Sequence, residues 1–167
     1  MNRISCLVLD VDGVLTDSSI YLTDDGKEIK AFNSKDGHGL KLLMRAGLEV
    51  AILTGRTSGV VEHRAKELGI THVIQGAKDK RSALMELSGK LGIETAQMAY
   101  MGDDVVDLPA MALCGMTFAP ADAMAMVKDR AEVVTILPGG RGAVREAVEI
   151  LLKRLGLYEK VMERYVV

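Results

Sequence analysis

Asp10 and Asp12 are the first residues of this chain whose type and spacing suit chemistry. They belong to the stretch Cys6-Leu7-Val8-Leu9-Asp10-Val11-Asp12-Gly13-Val14-Leu15-Thr16, where an apolar run ends on an acid and a glycine follows three positions later. Such a run reads as a buried strand that hands its polar groups to a loop. Two carboxylates at one strand end repel each other unless a cation or a shared proton relieves them. A divalent ion is the economical solution, and Mg²⁺ is usually held by one or two carboxylates with waters and a substrate phosphate oxygen. The pair therefore suits phosphoryl chemistry. Alone, Asp-x-Asp-Gly also describes a solvated acidic turn. A calcium loop does not fit, because no acidic ladder and terminal Glu follow at the right spacing.

The elements that must position these acids follow from the rest of the chain. Its 167 residues suit one domain over 1–167, large enough to bury a core. A net charge of -2 gives no support to a nucleic-acid partner. Cys6 and Cys114 sit in apolar segments without metal-site spacing and read as buried free thiols of a reducing compartment. The apolar stretch Ile4 to Leu9 is too short for a secretory signal, and no run approaches a membrane span of about 20 residues. The expectation is a cytoplasmic protein with no membrane partner.

After the first strand, Ser19 to Thr23 and Glu28 to Phe32 flank Asp24-Asp25-Gly26-Lys27, which predicts a small hairpin flap. Asn33 to Gly39 reads as a polar, glycine-rich loop, and Leu40, Leu43 and Met44 start a helix that stops at Gly47. Strands at Leu48 to Leu53, Thr71 to Ile74, Met98 to Met101, Met116 to Ala119 and Glu132 to Ile136 then alternate with helices. The last long helix runs from about Gly142 to Leu155. Gly47, Gly69, Gly92 and Gly115 each stand between a helix and a strand, where a left-handed cap is wanted. This alternation predicts an α/β fold, a doubly wound parallel sheet covered on both faces.

Polar groups follow the strands: Asp10 and Asp12, then Thr54, then Asp103, Asp104 and Asp107, with Lys80 opening a helix on the same edge. The carboxyl ends of parallel strands share one edge of the sheet, where open sheets bind ligands. Singly, each has a plainer reading. Thr54 reads as a helix cap, Lys80 as a solvated helix charge, Asp79 as the cap of its own helix, and Asp104 as a cap or a support for a metal. His38, His63 and His72 lack ligand spacing, and the ten methionines read as packing. Arg56 follows Thr54 closely and Arg64 lies two helical turns on, so both can face the same edge; Arg64 equally reads as a surface arginine.

The ordered set resembles the haloacid dehalogenase superfamily: Asp-x-Asp-Gly-x-x-Thr at Asp10 to Thr16, Thr54 in Leu-Thr-Gly-Arg, Lys80, and Gly-Asp-Asp-x-x-Asp at Gly102 to Asp107. Within it, the chain is similar to the small capless phosphatases of the 3-deoxy-D-manno-octulosonate 8-phosphate (KDO 8-phosphate) type, from about residue 4 to about residue 155. Supporting stretches include Phe32 with Asp36-Gly37, Gln75-Gly76, Asp79-Lys80 and Gly139-Gly140-Arg141-Gly142.

That resemblance implies a Rossmann-like core with no cap domain and a Mg²⁺-dependent phosphatase. Asp10 would be the nucleophile and Asp12 the acid and base. Asp10, the Asp12 carbonyl and Asp103 would hold Mg²⁺, with Asp107 or Asp104 ordering its waters. Thr54, Lys80 and the Asp12 to Gly13 turn would meet the phosphate, and Gly55, Arg56 and Arg64 the rest of the substrate. In that family an Arg after the Thr-Gly turn goes with the octulosonate substrate, whereas an acid there goes with a nine-carbon sugar acid phosphate. The family is typically a homotetramer with the flap, residues 17–32, at subunit contacts. A non-catalytic sugar-phosphate-binding or regulatory subunit is the reading from another class. The tail, residues 156–167, reads either as a helix packed on its own core or as a segment reaching a neighbouring site.

Overall fold

Strand β1, Cys6–Leu9, is wholly buried and lies at the centre of the sheet that positions everything else. It pairs in parallel with β4 (Glu49–Leu53) on one side and, on the other, with the strand Met98–Met101. The computed structural model describes residues 3–166. With β5 (His72–Ile74), β6 (Met98–Met101), β7 (Met116–Ala119) and β8 (Val133–Val134), the six parallel strands take the order β5-β4-β1-β6-β7-β8. The doubly wound expectation holds.

Period-two alternation along the strands sorts side chains into two cores. Leu7 and Leu9 face one core with Leu40, Leu43, Val61, Val148 and Leu152; Cys6 and Val8 face the other with Leu84, Leu87, Met111 and Val127. The first core lies under α1 (Ser34–Arg45), α2 (Gly59–Leu68), α6 (Ala143–Arg154) and α7 (Tyr158–Met162). The second lies under α3 (Lys80–Leu91), α4 (Leu108–Met111) and α5 (Ala125–Lys128). Residues such as Val8, Leu7 and Tyr100 are 0% exposed, so neither sheet face is open to water at its centre.

Four local readings are corrected. Helix α1 begins at Ser34 rather than near Leu40, because the Asn33 side chain caps it by accepting from the Lys35 and Asp36 amides. Its glycines serve packing: a Cβ at Gly39 would come 3.2 Å from the Arg145 backbone of α6. From the same turn, Asp36 accepts from the Gly142 and Arg145 amides at 3.2 and 2.8 Å and ties α1 to the start of α6. Secondly, Gly115 is not a left-handed cap, unlike Gly47, Gly69 and Gly92. A Cβ there would lie 2.0 Å from the Ala96 carbonyl oxygen, so close approach of backbone is what requires glycine. Thirdly, the hairpin pairs over only two residues per strand, β2 (Tyr21–Leu22) and β3 (Glu28–Ile29). Beyond β3 the chain turns inward to bury the Lys30 side chain. Lastly, Thr54 caps nothing, since the cap position of α2 is Ser58.

Between β1 and α1 the small flap is the insertion, and among the described residues no cap domain is present. The tail from Gly156 folds back as α7, with Val161 buried and Tyr165 packed edge-on against His38; Val167 lies outside the described residues. Packing on its own body is the arrangement seen. Among the described residues no helix is long and apolar enough to cross a membrane.

Candidate active site

Three strand ends build the site. Asp10 follows β1 directly, and its amide donates to the Met101 carbonyl at 3.1 Å, so the first acid is hung from the neighbouring strand. Thr54 follows β4 in the same way, its amide donating to Ile74 at 2.9 Å. After β6, Gly102 leads into Asp103 and Asp104, and a single turn of 3-10 helix at Val105–Asp107 brings Asp107 back beneath them. Asp104 caps that turn through the Val105 amide, and Asp107 reaches back to the Asp103 and Asp104 amides at 3.1 and 3.3 Å. Lys80 opens α3, whose cap is Asp79, as expected.

Gly13 is the narrowest point. It adopts φ +87°, and a Cβ there would lie 2.0 Å from an Asp103 carboxylate oxygen. Thr16 holds the loop from below, accepting from the Gly13 amide at 3.3 Å while its own hydroxyl donates to the Val11 carbonyl at 3.4 Å.

Asp10, Asp103 and Asp107 each offer one carboxylate oxygen, and these oxygens lie within 4.8 Å of one another. The Lys80 ammonium sits against two of the three, 2.8 Å from Asp10 and 2.6 Å from Asp107. Asp107 is fully engaged: the Tyr100 hydroxyl donates to it at 2.9 Å, beside Lys80 and the two backbone amides. Asp10 accepts from the Val11 amide at 2.7 Å. Asp103, by contrast, accepts no hydrogen bond from the described residues, and its carboxylate points to the Gly13 turn.

The electrostatics follow from this crowding. Burial, then the Asp107 charge, push the Asp10 carboxyl up to about 6 against the pull of Lys80. Burial followed by the charges of Asp10, Asp107 and Asp104 pushes Asp103 up to about 7. For Lys80, burial acts downward, but the two carboxylates outweigh it and leave the ammonium raised. One cation does not neutralise three acids: each Asp10 oxygen has a single partner, Val11 or Lys80, and the Asp103 carboxylate has none among the described residues.

These groups open into a cleft of about 390 Å³, lined also by Asp12, Thr54, Gly55, Arg56 and Lys78. Its size and its charged and hydroxyl-bearing lining residues suit a small polar ligand. Arg64 is elsewhere. Its guanidinium pairs with Glu67 at 2.8 Å and lies over the Phe32 ring, in a shallow apolar recess with Leu15 and Leu68. The helical spacing that lets Arg56 and Arg64 share an edge fails because residues 54–58 precede α2 as irregular loop, so the two arginines are not on one helix. Asp12 also stands apart from the acidic trio. Its carboxylate meets Lys30 at 2.5 Å and Arg56 at 3.7 Å.

Sequence reasoning passed over Tyr100, Glu28 and Lys30. Tyr100 carried a weak signal, a hydroxyl at the end of an otherwise apolar strand. Glu28 and Lys30 carried none, because 18 residues separate Lys30 from Asp12 and only the return of the flap joins them.

A family model described as haloacid dehalogenase-like hydrolase matches residues 29–115. The chain is 47% identical over 154 residues to the 3-deoxy-D-manno-octulosonate 8-phosphate phosphatase KdsC of Escherichia coli strain K12, covering 92% of this chain and 82% of the relative. A probable YrbI family phosphatase from Pseudomonas syringae pv. phaseolica 1448a superposes with TM-score 0.97 at 43% identity, over 99% of this chain and 94% of the other. A 3-deoxy-D-manno-octulosonate 8-phosphate phosphatase from Moraxella catarrhalis, solved with magnesium ion, phosphate ion and KDO, gives TM-score 0.94 at 41% identity, over 97% and 93%. Likeness of this extent, on a capless sheet whose carboxyl edge gathers the acids, the threonine and the lysine in the expected order, makes this chain a member of the haloacid dehalogenase-like hydrolases, in their KDO 8-phosphate phosphatase-like branch.

Proposed function

We propose that this chain is a Mg²⁺-dependent phosphatase that hydrolyses a sugar acid phosphate, 3-deoxy-D-manno-octulosonate 8-phosphate, to the free sugar acid and phosphate in lipopolysaccharide precursor synthesis. The observation that carries this reading is the gathering of Asp10, Thr54, Lys80 and Asp103 around one cleft. The relative solved with magnesium, phosphate and KDO supports the choice of ligand.

In the proposed reaction an Asp10 carboxylate oxygen bonds to phosphorus as the bond from phosphorus to the sugar oxygen breaks. Asp12 gives its proton to that departing oxygen. It then takes a proton from the water that attacks the aspartyl-phosphate, releasing phosphate and restoring Asp10. Lys80 keeps Asp10 oriented and balances its charge, while the Thr54 hydroxyl, free of other hydrogen bonds among the described residues, donates to a phosphate oxygen. The Gly13 turn lets the backbone approach the phosphate closely, and Gly55 and Arg56 face the sugar acid from the rim.

The carboxylates of Asp10 and Asp103, which lie in one acidic trio, would together with the Asp12 carbonyl supply an all-oxygen donor set of the kind that suits Mg²⁺. Asp107 would order this set rather than contact the ion, since its oxygens are taken. When bound, the ion neutralises the phosphate oxygens and the facing carboxylates. This has a pH signature. Both acids titrate above their ordinary 3.8, Asp10 at about 6 and Asp103 at about 7. Between about pH 4 and 7 the folded metal-free chain therefore holds more protons than the unfolded one, and these two groups lower stability as pH rises. Mg²⁺ is expected to raise Tm by several degrees more at about pH 7.5 than at about pH 5, at roughly 2–4 °C per kcal/mol. Equal rises at the two pH values would contradict the assignment.

We further propose a cytoplasmic homotetramer of this single domain. The flap presents Ile20, Tyr21, Leu22 and Ile29, each 45–64% exposed, as an apolar face that a second copy can cover. The test of the function is a phosphate-release screen across sugar acid phosphates, comparing kcat/KM. The eight-carbon substrate is expected to lead. A lead for the nine-carbon 9-phosphate would shift the substrate, and no release from any would favour a binding subunit.

A further inference from the structure

We propose that Lys30, carried by the flap, is the positioning residue for Asp12. The inference rests on the phosphatase reading above, in which Asp12 exchanges a proton with the departing oxygen.

No residue adjoining Asp12 in sequence bonds its carboxylate; its side-chain partners are Lys30 and Arg56, 18 and 44 positions later. The two are unequal. The Lys30 ammonium is 2.5 Å from one Asp12 oxygen, and the Lys30 side chain is 2% exposed. Arg56 stands 3.7 Å from the other oxygen with its side chain 47% exposed, where solvent weakens the pairing. Lys30 therefore sets the direction of Asp12.

Glu28 in turn sets Lys30. Its carboxylate lies 3.1 Å from the Lys30 ammonium and 2.8 Å from the Arg56 guanidinium, so Asp12 and Glu28 are joined through the two cations into one closed cycle. Glu28 is in β3 and Lys30 follows it by two residues, so both charges point to the same side of the flap. The flap thus delivers one balanced pair to the mouth of the cleft. Without Lys30, the Asp12 side chain, 21% exposed, keeps only water and the more distant, half-exposed Arg56 as partners, and neither holds it in one rotamer. Misplacement of a proton donor by about 1 Å can cost a factor on the order of 100 in rate.

A positioning role has a signature that simple attachment of the flap lacks. A sugar alkoxide needs a proton to depart, whereas a nitrophenolate departs without one. Lys30→Met, Lys30→Arg and the wild type are compared on the sugar acid phosphate and on 4-nitrophenyl phosphate. K30M is expected to lower kcat at least tenfold on the sugar substrate and less than threefold on the aryl substrate, with KM changed less than threefold; K30R recovers most of the loss. Equal losses on both substrates, or no loss on either, would overturn the role of Lys30 while leaving the phosphatase reading in place. A wild type inactive on both would overturn the reading and the inference together. Where K30M fails to fold, Glu28→Gln, which frees Lys30 from its second anchor, should give the same selective loss at smaller size; an unselective loss overturns the inference.

Discussion

Asp10→Asn is expected to lower phosphate release by roughly a thousandfold or more and to leave the fold standing, because the change removes the attacking oxygen's charge and little volume. The geometry explains why the residue sits at a point of conflict. Its amide is fixed to Met101, one carboxylate oxygen to the Val11 amide and the other to Lys80, which holds the group at the wall of the cleft. Burial and Asp107 meanwhile raise its carboxyl to about 6, so the folded metal-free chain resists the charge that the chemistry needs. Replacing the acid by an amide relieves part of that conflict. Tm without metal at about pH 7.5 should therefore move by only a few degrees, and the benefit of added Mg²⁺ should shrink. Phosphate release still at a tenth of wild type would remove Asp10 from the role of nucleophile.

Lys80→Met is expected to damage both stability and turnover. The ammonium bridges Asp10 and Asp107, and all three side chains are at most 8% exposed. Removing the cation from such a set leaves buried carboxylates without compensation, a cost of about 3–5 kcal/mol. For a chain of this length that is roughly 10 °C in Tm. Met nearly conserves volume, so the loss measures charge rather than a cavity. It should narrow as pH falls toward about 6, because without Lys80 the Asp10 carboxyl protonates at higher pH than in the wild type and so sheds its unbalanced charge first. Lys80→Arg is not expected to restore activity, since a planar fork does not reproduce a compact ammonium placed between two acids. A metal-free Tm within 2 °C of wild type would show that the ammonium does not hold the pair.

The strands were legible because burial on both faces leaves continuous apolar runs, as at Cys6 to Leu9 and Met98 to Met101. Asp10, Thr54, Lys80 and Asp103 were legible for a related reason: parallel connectivity sends every strand's carboxyl end to one edge, so residues far apart in the chain had to meet. Local signals misled where a glycine answers to a distant neighbour. Gly39 reads as loop yet lies inside α1 because the Arg145 backbone approaches it, and Gly115 reads as a cap yet makes room for the Ala96 carbonyl. The paired arginines misled through geometry, since the loop before α2 turns Arg64 to Phe32 and away from Arg56.

What the order of residues determined by itself was the sheet, the edge at which chemistry collects, and the acids, threonine and lysine delivered there, because hydrophobic period and strand direction are properties of the chain. Tertiary structure alone decided which oxygens remain free. Asp107 is consumed by Lys80, Tyr100 and two amides, Asp103 is left without a partner among the described residues, and Asp12 is turned toward a flap lysine. The physical reason is range: periodicity acts over a few residues, whereas the state of a carboxylate depends on every charge and dipole within a few ångströms, whatever its place in the sequence.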